Sequence, residues 1–316
     1  MYQVEVCFPP FRIYNHFSMH NSNSFFKKYV KIIVVLAVIA SSSSGIFVNL
    51  ISAPPMAIGF WRLAMALPFF AIPVLTKQRE TLKDLDSKDL ITSILGGVFL
   101  FAHFFTWFSG VKIADIASAV TLGALHPLVV LFVSVVFYKK KVGVRAVMGI
   151  VLALLGGAMV AGFDYHQLVG SNFKGDMLAF LSAVFMGLYF LMGEKARERV
   201  PGTTYVFLVF LTTFICFAIG VAVTGTKVLG YPAADYGMLI ALTLLCQIGA
   251  HAVFNLCIGY VDSLYVSTWE TGETIFSIIL GAIFLSQIPN QYQIVGCMVV
   301  VIGLLYYNYY WAKDNS

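Results

Sequence analysis

The stretch "SLYVSTWETGETIFSIILGAIFL", Ser263–Leu285, is as long as a helix that crosses a bilayer, for which about 20 apolar residues suffice. Glu270 and Glu273 stand near its middle. A charge at that depth costs roughly 2.5–3.5 kcal/mol on insertion scales, and more in simulations. Three residues turn a helix by about 300°, so the two carboxylates share a face. Ser263, Ser267, Thr274 and Ser277 run along that face, while Leu264, Ile275, Ile278 and Ile279 lie largely elsewhere. Such a stripe predicts a helix whose polar side meets the protein interior or a water-filled cavity, and never lipid.

The rest of the chain has the same apolar character. Hydrophobic residues make up 59% of it and charged residues 11%, against about 45–50% and about 25% in soluble domains. A soluble fold cannot hide that much apolar surface, so the composition predicts an integral membrane protein. Charge and turn clusters cut the sequence into about ten apolar segments: residues 30–51, 55–76, 89–110, 115–138, 142–162, 175–194, 203–224, 235–259, 263–285 and 290–311. Helices of these lengths satisfy their own backbone hydrogen bonds in lipid. Nothing alternates with period two over several segments, which disfavours a β-barrel. The expected fold class is therefore all-α with about ten transmembrane helices.

The net charge of +5 does not point to nucleic acid, because the basic residues are confined to short loops. Placing the N-terminus in the cytoplasm leaves only Lys112, Lys174 and Lys227 outside and Arg62 within a span; the other sixteen Lys and Arg residues fall inside. This bias predicts both termini in the cytoplasm, and the expected location is a bacterial inner (plasma) membrane. The segment "KKYVKIIVVLAVIASS", residues 27–42, imitates a secretory signal, but apolar sequence continues through "GIFVNLI", residues 45–51. It reads as a retained first span. Residues 1–29 read as a disordered cytoplasmic tail, within which Met19 is a second candidate start. Of the five cysteines, all but Cys7 lie in apolar runs without paired spacing, so a disulfide framework or zinc site is not expected. No Walker loop, HExxH or nucleophile elbow appears. ATP-driven pumping by this chain alone is excluded, and no cofactor, metal or enzymatic activity is expected.

An internal repeat organises the spans. An offset of 147 residues pairs Asp115 with Asp262, Phe137 with Phe284, Gly149 with Gly296, Gly156 with Gly303 and Pro54 with Pro201. It also pairs "FAIPV" (70–74) with "FAIGV" (217–221). Each half holds five spans, an odd number, so the second half enters the membrane upside down relative to the first. This is the inverted-repeat plan of many secondary transporters, whose sites lie near the midplane between the halves. The expected organisation is a first repeat over 30–162, an external connection over 163–174, a second repeat over 175–311 and a cytoplasmic tail over 312–316.

Two stretches carry a family resemblance. "WFSGVKIADIASAVTLGALHPLVVLFVSVVFYKKKV" (107–142) and "FNLCIGYVDSLYVSTWETGETIFSIILGAIFLSQ" (254–287) resemble corresponding signatures in the two halves of the drug/metabolite transporter superfamily, of the EamA type. The resemblance covers about residues 30–311 and implies ten short spans in two inverted five-helix halves. Relatives commonly carry Glu-Pro where this chain has Glu273-Thr274; the first half keeps Pro127 and has His126 where the offset puts Glu273.

The candidate site residues follow from buried polarity. Glu270 and Glu273 are candidates for binding a proton, a substrate or both, since burial and a like-charged neighbour favour a shared proton; hydrogen bonding between helices is the alternative. Gln247, His251 and Asn255 recur every four residues in the eighth span, a motif that resembles one found in part of this family. His251 is suited to passing a proton, and the other two to joining helices. His103 and Trp107 share a face of the third span. Trp107 and Trp269 offer aromatic walls that suit an organic cation or the amino group of a zwitterion. Arg62 is placed to pair with a carboxylate, bind an anionic group or reach the interface. His126, beside Pro127, reads as a hydrogen-bonding residue at a kink. Gly149, Ala153, Gly157 and Ala161 form a small-residue seam, for scaffold packing or a homodimer surface.

The leading expectation is a secondary transporter of a small amino-acid-like, zwitterionic or cationic metabolite, working by alternating access with protons and membrane lipid as its other partners. An uncoupled facilitator or exchanger remains the alternative. An intramembrane His/Glu enzyme is a weaker one, because its candidate ligands are scattered in sequence. A non-transporting scaffold or sensor would have no use for buried charges.

Overall fold

The computed structural model describes residues 24–114, 116–161, 173–285 and 291–314. The tail expected ahead of residue 24, the connection as far as residue 172 and the last two residues lie outside them. Among the described residues every regular element is a helix and none is a strand. Seven segments there, Phe26–Leu50 first and Ile294–Trp311 last, are long and apolar enough to cross a membrane. The remaining spans are shorter or broken into pieces, and together they make the ten expected.

The breaks have local causes. The first span runs Ser24–Ser41 and resumes at Ser44–Leu50. Ser41 and Ser42 each donate a side-chain hydrogen bond to the Val38 carbonyl, at 3.1 and 2.7 Å, which competes with the helical ladder. The second span, Pro55–Lys77, opens with proline at its first turn, where the missing N–H is one of the orphans anyway. The third, fifth, sixth and seventh are single helices, Ser87–Val111, Val144–Ala161, Phe173–Arg197 and Gly202–Thr224. Gly225 ends the seventh at φ 65°, a left-handed conformation that glycine adopts freely. The eighth is α-helical over Ala233–Leu242 and Val253–Ile258, with a wider π-helical segment, Thr243–Ala252, between them. The tenth is Gln291–Asp314.

The fourth and ninth spans carry the repeat most plainly. The fourth is Ile116–Gly123 followed by His126–Val136; the ninth is Ser263–Glu270 followed by Glu273–Leu285. The 147-residue offset carries Ile116 onto Ser263, Gly123 onto Glu270 and His126 onto Glu273, so both halves break at equivalent places. In the fourth span Pro127 withholds the N–H that Gly123 O would take. The ninth has no proline there and breaks by three-residue turns instead: Thr271 N donates to Thr268 O (3.2 Å) and Gly272 N to Trp269 O (3.0 Å).

The halves interlock along spans related by the repeat. The second packs on the seventh, the fifth on the tenth, and the third and eighth on the sixth and first. A Cβ at Gly149 would stand 2.6 Å from Tyr307 N, and one at Gly303 2.4 Å from Ala153 N, so these helices touch backbone to backbone. The small-residue seam thus joins the two halves within one chain. It runs through Gly149, Ala153 and Gly156, whereas the space beside Gly157 is open. A strict four-residue row drifts about 40° per step around a helix, which turns Gly157 away.

Side-chain ties close both ends of the bundle. At the Lys-rich end the buried Glu194 carboxylate accepts from Lys140 Nζ, from Ser263 Oγ and from Ser263 N (3.0 Å). At the Lys-poor end Asp235 accepts from Ser52 N and Oγ at 3.0 and 2.5 Å, and Lys112 Nζ donates to Ile51 O at 2.6 Å.

Candidate functional site

The helix breaks meet around a central cavity. Its wall takes Ser41 and Ser44 from the first break, His103, Phe104 and Trp107 from the third span, and Gly123, Ala124 and His126 from the fourth. Met186, His251, Glu270 and Glu273 complete it from the sixth, eighth and ninth. Unwound backbone and polar side chains are tolerated at such depth because they line a cavity and not lipid.

The two glutamates answer the cost of placing charge in a span by finding partners. Glu273 begins its half-helix and takes a hydrogen bond from Ser41 Oγ at 3.1 Å. A carboxylate at a helix N-terminus is also favoured by the helix dipole. Glu270 is buried, with Oε2 3.0 Å from His126 Nε2. The His126 N–H is better aligned with the Ser267 carbonyl, 3.1 Å away, so the contact with Glu270 is chiefly electrostatic.

The imidazoles are set by carbonyls. His103 Nδ1 donates to Ser182 O at 2.9 Å, which leaves Nε2 as an acceptor. Its ring centroid lies 6.0 Å from that of His251 and 5.3 Å from that of Phe104. Trp107 seats on Gly123: a Cβ there would stand 2.7 Å from the indole. Glycine at 123 therefore lets the aromatic wall close.

Of the residues singled out in the sequence, Glu270, Glu273, His251, His103 and Trp107 converge on this cavity. Arg62 lies behind it. Its guanidinium is fully buried, with the carbon 4.3 Å above the Phe104 ring and Nε donating to Gln247 Oε1 at 2.6 Å. Its two terminal nitrogens have no hydrogen-bond partner among the described residues. The polar stripe of the eighth span splits three ways. Gln247 goes to Arg62 and His251 to the cavity, while Asn255 donates to Tyr189 Oη and to the His251 carbonyl. The π-helical turn lies across Gln247 and His251 and changes their angular spacing. Trp269 packs at a tilt against Tyr265, 6.3 Å between centroids, outside the cavity wall. Among the described residues no three His, Cys, Asp or Glu side chains gather to hold a metal ion.

Sequence reasoning passed over Ser41, Ser44 and the Glu194 tie, and gave His126 a purely local role. The run "SSSSG" in an otherwise apolar span was the available signal for the first two. Glu194 had none, because its partners come from the loop after the fourth span and from the start of the ninth.

Known proteins resemble the chain throughout. An "uncharacterized transporter" YxxF of Bacillus subtilis (strain 168) is 22% identical over 280 residues, covering 86% of each chain. An "uncharacterized transporter" of Archaeoglobus fulgidus is 27% identical over 145 residues, 46% of this chain and 49% of that one. A crystal structure with 17% identity superposes with a TM-score of 0.73, covering 92% of this chain and 99% of the other, and so shares the fold. The model of the EamA-like transporter family matches residues 29–162 and 173–309, one segment on each side of the connection. With two inverted halves, helix breaks at equivalent positions and that match along most of its length, the chain belongs to the EamA-like transporter family.

Proposed function

We propose that the chain is a secondary transporter that carries a small cationic or zwitterionic organic metabolite across a bacterial inner membrane. It works by alternating access, with protons linked to the movement and both termini in the cytoplasm. The observation that carries this reading is the pair Glu270 and Glu273 facing one cavity where two broken spans meet. Glu270 and Glu273 supply negative charge for an ammonium group, and Phe104 and Trp107 supply faces that attract a cation. The half-helices His126–Val136 and Glu273–Leu285 both start at the cavity and present their positive ends to a substrate carboxylate. Rocking of one half against the other would open the Lys140–Glu194–Ser263 tie in one state and the Ser52–Asp235 tie in the other.

Purified protein in liposomes tests this, with uptake of candidate amines and amino acids measured under an imposed pH gradient. Wild type is expected to accumulate substrate against its gradient, and Glu270→Gln/Glu273→Gln to lose that accumulation. Equal flux by both proteins at every pH would remove the carboxylates from the mechanism. Flux that ignores the pH gradient would leave an uncoupled facilitator.

A further inference from the structure

His126 makes contacts that a neutral imidazole cannot satisfy. A neutral ring has one N–H and one bare nitrogen. His126 Nδ1 faces Gly123 O at 3.1 Å, while Nε2 faces Ser267 O at 3.1 Å and Glu270 Oε2 at 3.0 Å. Carbonyl and carboxylate oxygens only accept, so this geometry suits an imidazolium, both of whose nitrogens donate. The two carbonyls are orphans of the two helix breaks. Gly123 O has lost its helical donor because residue 127 is proline, and Ser267 O has lost its own because Thr271 N turns to Thr268 O. One charged ring thus caps the break in each half and neutralises Glu270 on the cavity wall.

We propose that His126 is a tethered counter-ion for Glu270 that a substrate ammonium group replaces, one proton leaving for each cation bound. The Nε2 proton passes to cavity water as the cation takes the carboxylate, so the charge on the cavity is unchanged. The neutral ring then cannot hold both carbonyls, and the bridge between the broken spans loosens as substrate arrives. This rests on the transport reading and adds to it the direction of exchange and the group that carries the proton.

The other titratable and charged groups around the ring are Glu270 and Glu273 on the ninth span, His103 on the third, His251 on the eighth, Arg62 on the second and Tyr189 on the sixth. The test must separate His126 from all of them, and ¹⁵N-histidine NMR of the detergent-solubilised protein does so. Benzyltrimethylammonium is the probe, since its charge is fixed at every pH. The His126 resonance is assigned by its loss in His126→Gln, or, if that variant does not fold, by elimination from single Gln variants of the other five histidines, His16, His20, His103, His166 and His251. Both nitrogens of His126 are expected to be protonated near neutral pH without the probe, and one to become bare at saturation. Probe affinity should rise tenfold per pH unit while the ring is charged, and Glu273→Gln should keep that slope. A neutral ring without the probe, or a ring that stays charged up to the probe's solubility limit, overturns the proposal. Flux in liposomes with an unresponsive ring would sink this inference alone; a responsive ring without flux would sink the transport reading alone.

Discussion

Replacing Glu194 by glutamine should open the Lys-rich end of the bundle. Glu194 has 5% of its side chain exposed and Lys140 16%, so their ion pair lies much nearer the buried limit than the surface one. Surface pairs contribute about 0–1 kcal/mol, whereas breaking a buried pair costs about 3–5 kcal/mol. The carboxylate also accepts from Ser263 N and Oγ, and hydrogen bonds to a charged group contribute about 1.5–3 kcal/mol each. The amide can still accept from Ser263, which reduces the loss to about 3 kcal/mol for the closed state. That corresponds to a shift of ~150-fold between closed and open. The assay uses Met186→Cys, a position on the cavity wall, in a background with the five native cysteines replaced by alanine. A membrane-impermeant maleimide is applied from the face bearing Lys140. Glu194→Gln should label ~150-fold faster if opening precedes reaction. Glu198→Gln, which removes only the exposed 3.3 Å pair with Lys195, should leave the rate unchanged. Equal labelling of the two variants, or a fall in melting temperature without faster labelling, would show that Glu194 holds the fold together and does not gate it.

Three further outcomes follow from packing and charge. Gly303→Ala drives a methyl into the Ala153 backbone and should destabilise the protein by about 1–3 kcal/mol, the range for overpacking; Gly157→Ala, beside open space, should be neutral or slightly stabilising when both are measured by thermal unfolding in detergent. Gly123→Ala should push the Trp107 indole from its seat, changing tryptophan fluorescence and weakening binding of aromatic amines by about tenfold, the scale of a desolvated cation–π contact. Arg62→Lys keeps the charge but loses the bond from Nε to Gln247 Oε1 and the guanidinium's seat over the Phe104 ring, so it should lower the melting temperature, whereas Arg62→Met should recover part of that stability because a buried charge is replaced by an apolar chain of similar reach.

Much of this architecture was legible in the sequence because lipid leaves few choices. Apolar length set the spans, and an odd number of spans per half set the inversion. The 147-residue offset pairs Gly149 with Gly296 and Gly156 with Gly303, and the structure presses the helices that carry them together. The carboxylates were readable for the same reason: Glu270 and Glu273 are costly in lipid, so their burial against a cavity was the economical expectation. What the sequence hid was the partnering. Thr274 in place of proline gave no hint that the ninth span breaks, since three-residue turns at Thr271 and Gly272 need no special residue beyond the glycine. The role of His126 depends on two carbonyls set free by two separate breaks, and backbone vacancies leave no mark in side-chain identity. Trp269 looked like a cavity wall because its span was read as a regular helix, whereas packing against Tyr265 directs it elsewhere.

The close backbone contact between the fifth and tenth spans also sets a schedule for biogenesis. The glycine face around Gly149 finds its match only when Gln291–Asp314 has been made. At about 5–20 residues per second a ribosome needs roughly 7–30 s to supply it. During that interval the nascent first half sits in the bilayer with its tightest surface unmatched, open to chaperones, insertases and membrane proteases. A ribosome stalled between these helices would therefore release a product that quality control can recognise by an unmatched glycine groove.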